Sequence, residues 1–200
     1  MPWYPTGVTL RTLLAGMLVT VLFLPASAES RRWLPNPAKS VVTFDATHQL
    51  GDFSGRGGGV TGEFQIDTAD LRASITGVAR VRVAALRTGN ETRDRDMRKV
   101  LDVDRFPEIR FTIGSVEPSF NSVTPSADTL LTVKGGLAVR GVERPLTFLA
   151  RVRLRDDRVW VRGESRIRLT DFGIEPPSRL FFKVGNDVTI GFDLTLESSE

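Results

Sequence analysis

The chain has no cysteine, one histidine and one tyrosine in 200 residues. Without cysteine there are no disulfides, thiol nucleophiles or zinc–thiolate sites. With His48 as the only imidazole, a Ser-His-Asp arrangement or a histidine-rich metal centre cannot be assembled in the usual way. Charge imbalance is also small. Lys and Arg number 27 against 24 Asp and Glu, a net charge of +3. A nucleic-acid binder usually presents a basic stripe or a known motif. Here arginines alternate with apolar residues and acids are mixed among them, as on a solvated sheet face, so nucleic acid is not an expected partner. After residue 28 no run approaches the roughly 20 apolar residues needed to span a bilayer as a helix.

The first 28 residues are different. Arg11 is the only charge before Glu29, and an apolar run from Leu13 to Leu24 follows it. Pro25 ends the run ahead of Ala26-Ser27-Ala28. A positive charge, a short apolar core and a small-x-small site are the plan of a secretory signal peptide. The expectation is cleavage between Ala28 and Glu29, with residues 29–200 forming one domain in the periplasm or outside the cell. No cysteine lies near the site to carry a lipoprotein anchor.

The rest reads as strand after strand. Val41–Phe44 opens with β-branched and aromatic residues. In Ser74–Leu86, Ala79, Val81 and Val83 share one face. Ile109, Phe111 and Ile113 alternate with Glu108, Arg110 and Thr112. Phe148, Ala150 and Val152 alternate with Leu149, Arg151 and Arg153. Val161, Ser165 and Ile167 alternate with Arg162, Glu164 and Arg166, and Val188, Ile190, Phe192 and Leu194 repeat the pattern near the end. Period-two alternation marks strands with one dry and one wet face. Gly57-Gly58-Gly59, Asp156-Asp157 and Gly185-Asn186-Asp187 read as turns between them. About eight strands with short connections favour antiparallel hairpins, and long antiparallel sheets avoid bare edges by closing into a barrel. The expected fold is all-β: an elongated eight-stranded antiparallel barrel. One charged segment, Asn90–Leu101, lacks β character. It predicts a short helix over one barrel end, capped by Thr88 or Asn90 and stopped before Pro107. Pro118–Asp128, rich in Ser, Thr and Pro, reads as a loop.

A series of motifs runs through this frame. They are Gly62-x-Phe64 with Asp67; Leu86-Arg87-Thr88-Gly89-Asn90; Arg93-Asp94; Leu101-Asp102-Val103; and Phe106-Pro107-Glu108-Ile109-x-Phe111. Further on stand Val133-x-Gly135-x-Leu137-x-Val139-x-Gly141-Val142, Pro145-Leu146-Thr147-Phe148, Asp171-Phe172-Gly173-Ile174 and Val184-Gly185-x-x-Val188-x-Ile190. In this order and spacing the chain, from Trp33 to Glu197, resembles the YceI-like family of bacterial lipid-binding proteins. The resemblance implies a lipocalin-shaped barrel, a helix after the central strands, and a tunnel holding a polyisoprenoid or related long-chain amphiphile. It also implies a periplasmic or secreted location. The chain departs from the usual pattern at Pro35-Asn36-Pro37 and in the glycine-rich stretch Gly51–Gly59.

Alternation alone does not distinguish a filled core from a ligand tunnel; the resemblance favours the tunnel. The expected lining is Phe44, Val83, Phe111, Ile113, Leu137 and Phe148, with Val161, Ile167, Phe172, Ile190 and Phe192 beyond them. His48 and Arg87 are expected near the mouth, meeting a polar head group. Asp94 and Asp96 do not face each other on a helix, so they read as helix surface, with Arg93 or Asp94 tying the helix to the barrel. Gly55-Arg56-Gly57-Gly58-Gly59 lacks the Lys-Ser/Thr and following helix of a phosphate loop and reads as a flexible turn. Phe181-Phe182, after Pro176-Pro177, is a candidate cover for a tunnel mouth or a contact for a partner. The expected partner is a long-chain isoprenoid or other lipid, held without catalysis, metal or cofactor. The rival reading is an envelope interaction module with a filled core. Oligomeric state stays open, a homodimer included.

Overall fold

A computed structural model describes residues 30–48, 51–67, 75–118, 128–155, 157–176, 178–179 and 182–199. The expected signal peptide, Phe181 and most of the Pro118–Asp128 loop lie outside these residues.

Eight long antiparallel runs form a closed barrel, three of them broken into shorter pieces. The first run is β1 (Arg31–Pro35) followed by β2 (Val41–His48), and the second is β3 (Phe53–Gly58) followed by β4 (Thr61–Ile66). The third is β5 (Thr76–Arg82), a 3-10 turn at Val83–Ala85, and β6 (Leu86–Arg87). Five continuous strands or near-continuous strands complete the wall: β7 (Glu108–Pro118), β8 (Thr129–Val139), β9 (Val142–Arg155), β10 (Arg158–Arg168) and, after the short β11 (Ser178–Arg179), β12 (Phe182–Ser198). Each run pairs with the next in sequence, and the last closes on the first. Ile190 of β12 lies opposite Phe44 of β2, and Leu196 opposite Pro35 of β1. Closure leaves no long bare edge.

Helix α1 (Glu91–Val100) joins the third run to β7. Asn90 caps it, its side chain accepting from the Arg93 amide at 3.0 Å. Glu91 and Asp94 stand in the first turn and Arg98 and Lys99 in the last, each sign at the favourable end of the helix dipole. The helix is charged on most of its circumference. Its apolar edge is Met97, Val100 and Leu101, at i, i+3 and i+4.

Two cores divide the interior. At the end away from the helix, Trp33, Phe64, Ile66, Leu131, Val133 and Leu196 pack with their neighbours into the main cluster. A smaller cluster near the helix end joins Leu137, Val139, Phe172 and Ile174. Outside, Arg151, Arg153, Arg158 and Arg162 stand on β9 and β10, paired with Asp128, Glu197 and Asp193.

Two sequence expectations are corrected. Gly55, Gly57 and Gly58 belong to strand β3 rather than a flexible turn, and Phe53 opens that strand. Gly55 and Gly57 are buried and face inward, where neighbouring side chains occupy the space of the missing Cβ atoms: Phe44 at Gly55 and Leu86 at Gly57. Gly185-Asn186-Asp187 lies inside β12, at the register shift between Val184 and Val188. There Asn186 accepts from the Thr170 amide and donates to the Thr170 hydroxyl, both at 3.0 Å. Asn186 thus ties the irregular part of β12 to the 3-10 turn at Leu169–Phe172 instead of forming the turn that the composition suggested.

Candidate functional site

The helix end of the barrel is hollow. A cavity of about 840 Å³ opens between the strands and α1, within the roughly 300–1,000 Å³ typical of small-molecule sites. Its walls are alternate residues of the barrel strands. Val42, Phe44 and Ala46 project from β2, Leu137 and Val139 from β8, and Leu146 and Phe148 from β9. Ile167 of β10 and Val188, Ile190 and Phe192 of β12 close the circle. The period-two rule that dries one strand face supplies this wall.

Most polar groups gather at one end, where α1 crosses the barrel. Asn90, Thr92, Arg93, Asp96 and Lys99 border the cavity there, opposite His48, Gly51 and Phe53. Met97, Val100 and Leu101 bring the helix's apolar edge to the same space. The Arg93 guanidinium lies over the Phe53 ring, 4.3 Å from its centroid.

Helix α1 is tied to the barrel through Thr88. The Asp94 carboxylate accepts from the Thr88 amide at 2.8 Å and from its hydroxyl at 2.6 Å. Arg93 Nε donates to the same hydroxyl at 2.9 Å and an Arg93 Nη to the Thr88 carbonyl at 3.1 Å. Burial opposes the Asp94 charge. The two Thr88 hydrogen bonds and the positive fields of Arg98 and Arg87 outweigh it and hold the carboxyl below the usual carboxylate range. Asp94 is thus a buried structural anchor, while Asp96 borders the cavity.

Below the cavity, three rings meet. The Phe148 ring lies 5.3 Å from Phe111 and 5.0 Å from Phe192, centroid to centroid. Beyond them lies a separate void of about 80 Å³ inside the main core, and Leu194 borders both spaces.

Of the residues expected to line a tunnel, Phe44, Phe111, Leu137, Phe148, Ile167, Ile190 and Phe192 stand on the cavity wall, and His48 at its polar end. The other five stand elsewhere. Ile113 and Val161 border the small lower void. Val83 is buried, as alternation places it, but it stands in the 3-10 turn after β5, off the chamber wall, and donates its amide to the Pro107 carbonyl at 2.8 Å. Leu86 takes the wall position instead. With Leu86 inward, Arg87 faces out and donates back to the Ala84 and Leu86 carbonyls. Phe172 is packed behind the wall in the smaller core cluster. Among the residues not anticipated, Val42 and Ala46 share the face of Phe44. Met97, Val100 and Leu101 could have been found from their spacing in an otherwise charged segment. Among the described residues, no group of three or more His, Asp or Glu side chains could hold a metal ion, and no helix is long and apolar enough to cross a membrane.

The described residues define the class of closed antiparallel β-barrels with an apolar, helix-covered chamber. The chain belongs to the family of the YceI-like domain, whose pattern matches residues 33–196. It is 26% identical over 137 residues to UPF0312 proteins of two Pseudomonas putida strains, a match covering 64% of this chain and 67% of each relative. Among solved structures it is similar to Burkholderia cenocepacia BcnA, at 17% identity and a TM-score of 0.68, covering 80% of this chain and 98% of that one. A polyisoprenoid binding domain from Saccharophagus degradans, implicated in plant cell wall breakdown, is similar at 16% identity and 0.66, covering 84% and 98%. The Campylobacter jejuni YCEI protein follows at 16% and 0.60, covering 73% and 85%. At these identities the structural likeness establishes the fold.

Proposed function

We propose that this is an exported protein that holds a long apolar lipid, a polyisoprenoid, isoprenoid quinone or fatty-acid-derived amphiphile, in the helix-end cavity, for transport, storage or sequestration, and that it performs no chemistry on it. The observation that carries this reading is the chamber of about 840 Å³, apolar on its walls and polar at the helix end. A filled interaction module would not leave that space. The polyisoprenoid-binding domain of Saccharophagus degradans has the same fold, and the N-terminal segment has the plan of an export signal.

The energetics ask little of any single residue. Each buried methylene contributes about 0.8 kcal/mol, so a chain of about 16 carbons gains on the order of 12 kcal/mol before costs. Lost translational freedom and side-chain ordering take back several kcal/mol or more. What remains is favourable for a chain long enough to fill the chamber without any single residue being decisive, and the polar end orients the ligand, head group toward α1.

Thermal unfolding of delipidated protein, with and without a short-chain isoprenoid quinone, tests the reading. A ligand at 100 times its Kd stabilises the folded state by about 2.7 kcal/mol, so the midpoint should rise by several degrees. A midpoint unmoved by saturating quinones, polyprenols and fatty amides would contradict it.

A further inference from the structure

The rings below the cavity carry an inference about which lipids fit. Phe111, Phe148 and Phe192 come from β7, β9 and β12, spaced around the barrel, yet their rings touch in its middle. Two are seated on glycines of the neighbouring strand. A Cβ on Gly135 would lie 2.5 Å from Phe111 Cζ, and one on Gly163 would lie 2.6 Å from Phe192 Cζ. Each glycine leaves room for a ring to lean over the adjacent strand. Phe148 fills the gap between the two, tilted against one ring and edge-on to the other. The glycines seat two of the rings against the wall, and the open side of all three faces the chamber they border. The void of about 80 Å³ on their far side is bordered by apolar residues throughout, among them Ile113, Val133, Val161 and Leu196. Apolar space thus continues past the rings; they border the chamber alone, and Leu194 borders both spaces.

We propose that the Phe111–Phe148–Phe192 layer is the floor of the binding chamber and sets the longest chain the protein accepts, with Phe148 as the central stop. The inference rests on the lipid-holding reading above. It makes the ligand class one whose apolar chain ends at mid-barrel, rather than one that threads the barrel from end to end. At roughly 30 Å³ for each water-sized unit, the chamber holds about 28 such units. A chain of twenty-odd carbons with a small head group therefore fills it, and a much longer polyprenyl tail would have to leave through the helix end.

The test is native mass spectrometry of delipidated protein against straight-chain saturated fatty acids of about 10 to about 34 carbons, chain length being the only variable and each carbon adding apolar area. The intact protein should take up acids to a sharp length limit. Phe148→Ala should join the chamber to the lower void and raise that limit by at least about three carbons, the void divided by the same ~30 Å³ unit. Phe192→Ala, and the milder Phe148→Leu if either alanine variant does not fold, should shift it in the same direction. Uptake with no length limit, or an unchanged limit in folded variants, overturns the floor while leaving the lipid-holding reading intact. Failure of the intact protein to take up any acid, or any quinone or fatty amide added in the same assay, overturns that reading and the floor with it.

Discussion

Phe148 meets Phe192 edge to face, with ring centroids 5.0 Å apart and planes at 66°. Such pairs contribute about 0.5–1.5 kcal/mol beyond the area they bury. A double-mutant cycle with Phe148→Leu and Phe192→Leu, read by denaturant unfolding, should give a coupling free energy in that range. Additive effects of the two substitutions would mean that the rings are neighbours without being partners.

Gly55 sits under the Phe44 ring, which occupies the place of the missing Cβ. Gly55→Ala should push the ring off the wall into the chamber. Overpacking of this kind costs about 1–3 kcal/mol, and the chamber should also take up less lipid. Adding Phe44→Leu should recover part of both losses. Thermal melts and a lipid-uptake assay on the three variants check this, and a Gly55→Ala protein with unchanged stability and uptake would contradict the seating.

Much of the wall was legible in the sequence because a strand's face follows from its period. Phe111, Phe148, Ile190 and Phe192 needed only alternation to be placed inward. Alternation fixes the face and not the height along the barrel axis, so Ile113 and Val161 share the inward face and yet lie below the rings. Val83 is inward but off the chamber wall, and Arg87 faces out, because a 3-10 turn interrupts the third run, and nothing in Val83-Ala84-Ala85 announces that turn. The glycines of β3 were misread for a related reason. Glycine signals turns in isolation, and only the cross-strand neighbours Phe44 and Leu86 reveal that the missing side chains are replaced from the partner strand. The apolar edge that α1 turns to the chamber was legible as spacing, but the charge around it pointed to a solvated helix.

The Thr88–Asp94 pair should respond to acid. The Asp94 pKa in the folded protein lies below its ordinary value. On acidification the unfolded chain therefore takes up that proton first. The contribution of Asp94 is present above about pH 4, the unfolded carboxyl's range, and is lost as pH falls through the folded pKa. Asp94→Ala should cost about 1–3 kcal/mol at neutral pH, the usual cost of stranding buried hydrogen-bond partners, and the gap to the unaltered protein should shrink below pH 4. A constant gap from pH 7 to pH 3 would remove Asp94 as the helix anchor.

Trp33 is buried in the main core, at the end away from the helix. Trp33→Ala should destabilise the barrel by about 3–5 kcal/mol and leave lipid selectivity unchanged in the folded fraction. Guanidinium titration with a parallel uptake assay separates the two effects. Altered selectivity would mean that the lower core shapes the binding chamber.

The most direct test of lipid holding is native mass spectrometry of the protein purified from a bacterial periplasm, followed by solvent extraction of the same sample. A lipid-holding barrel should carry one extra mass in stoichiometric amount, released on denaturation and recovered in the extract as a single long-chain class. A clean apo mass and an empty extract, with no uptake of quinones or fatty amides added afterwards, would contradict it.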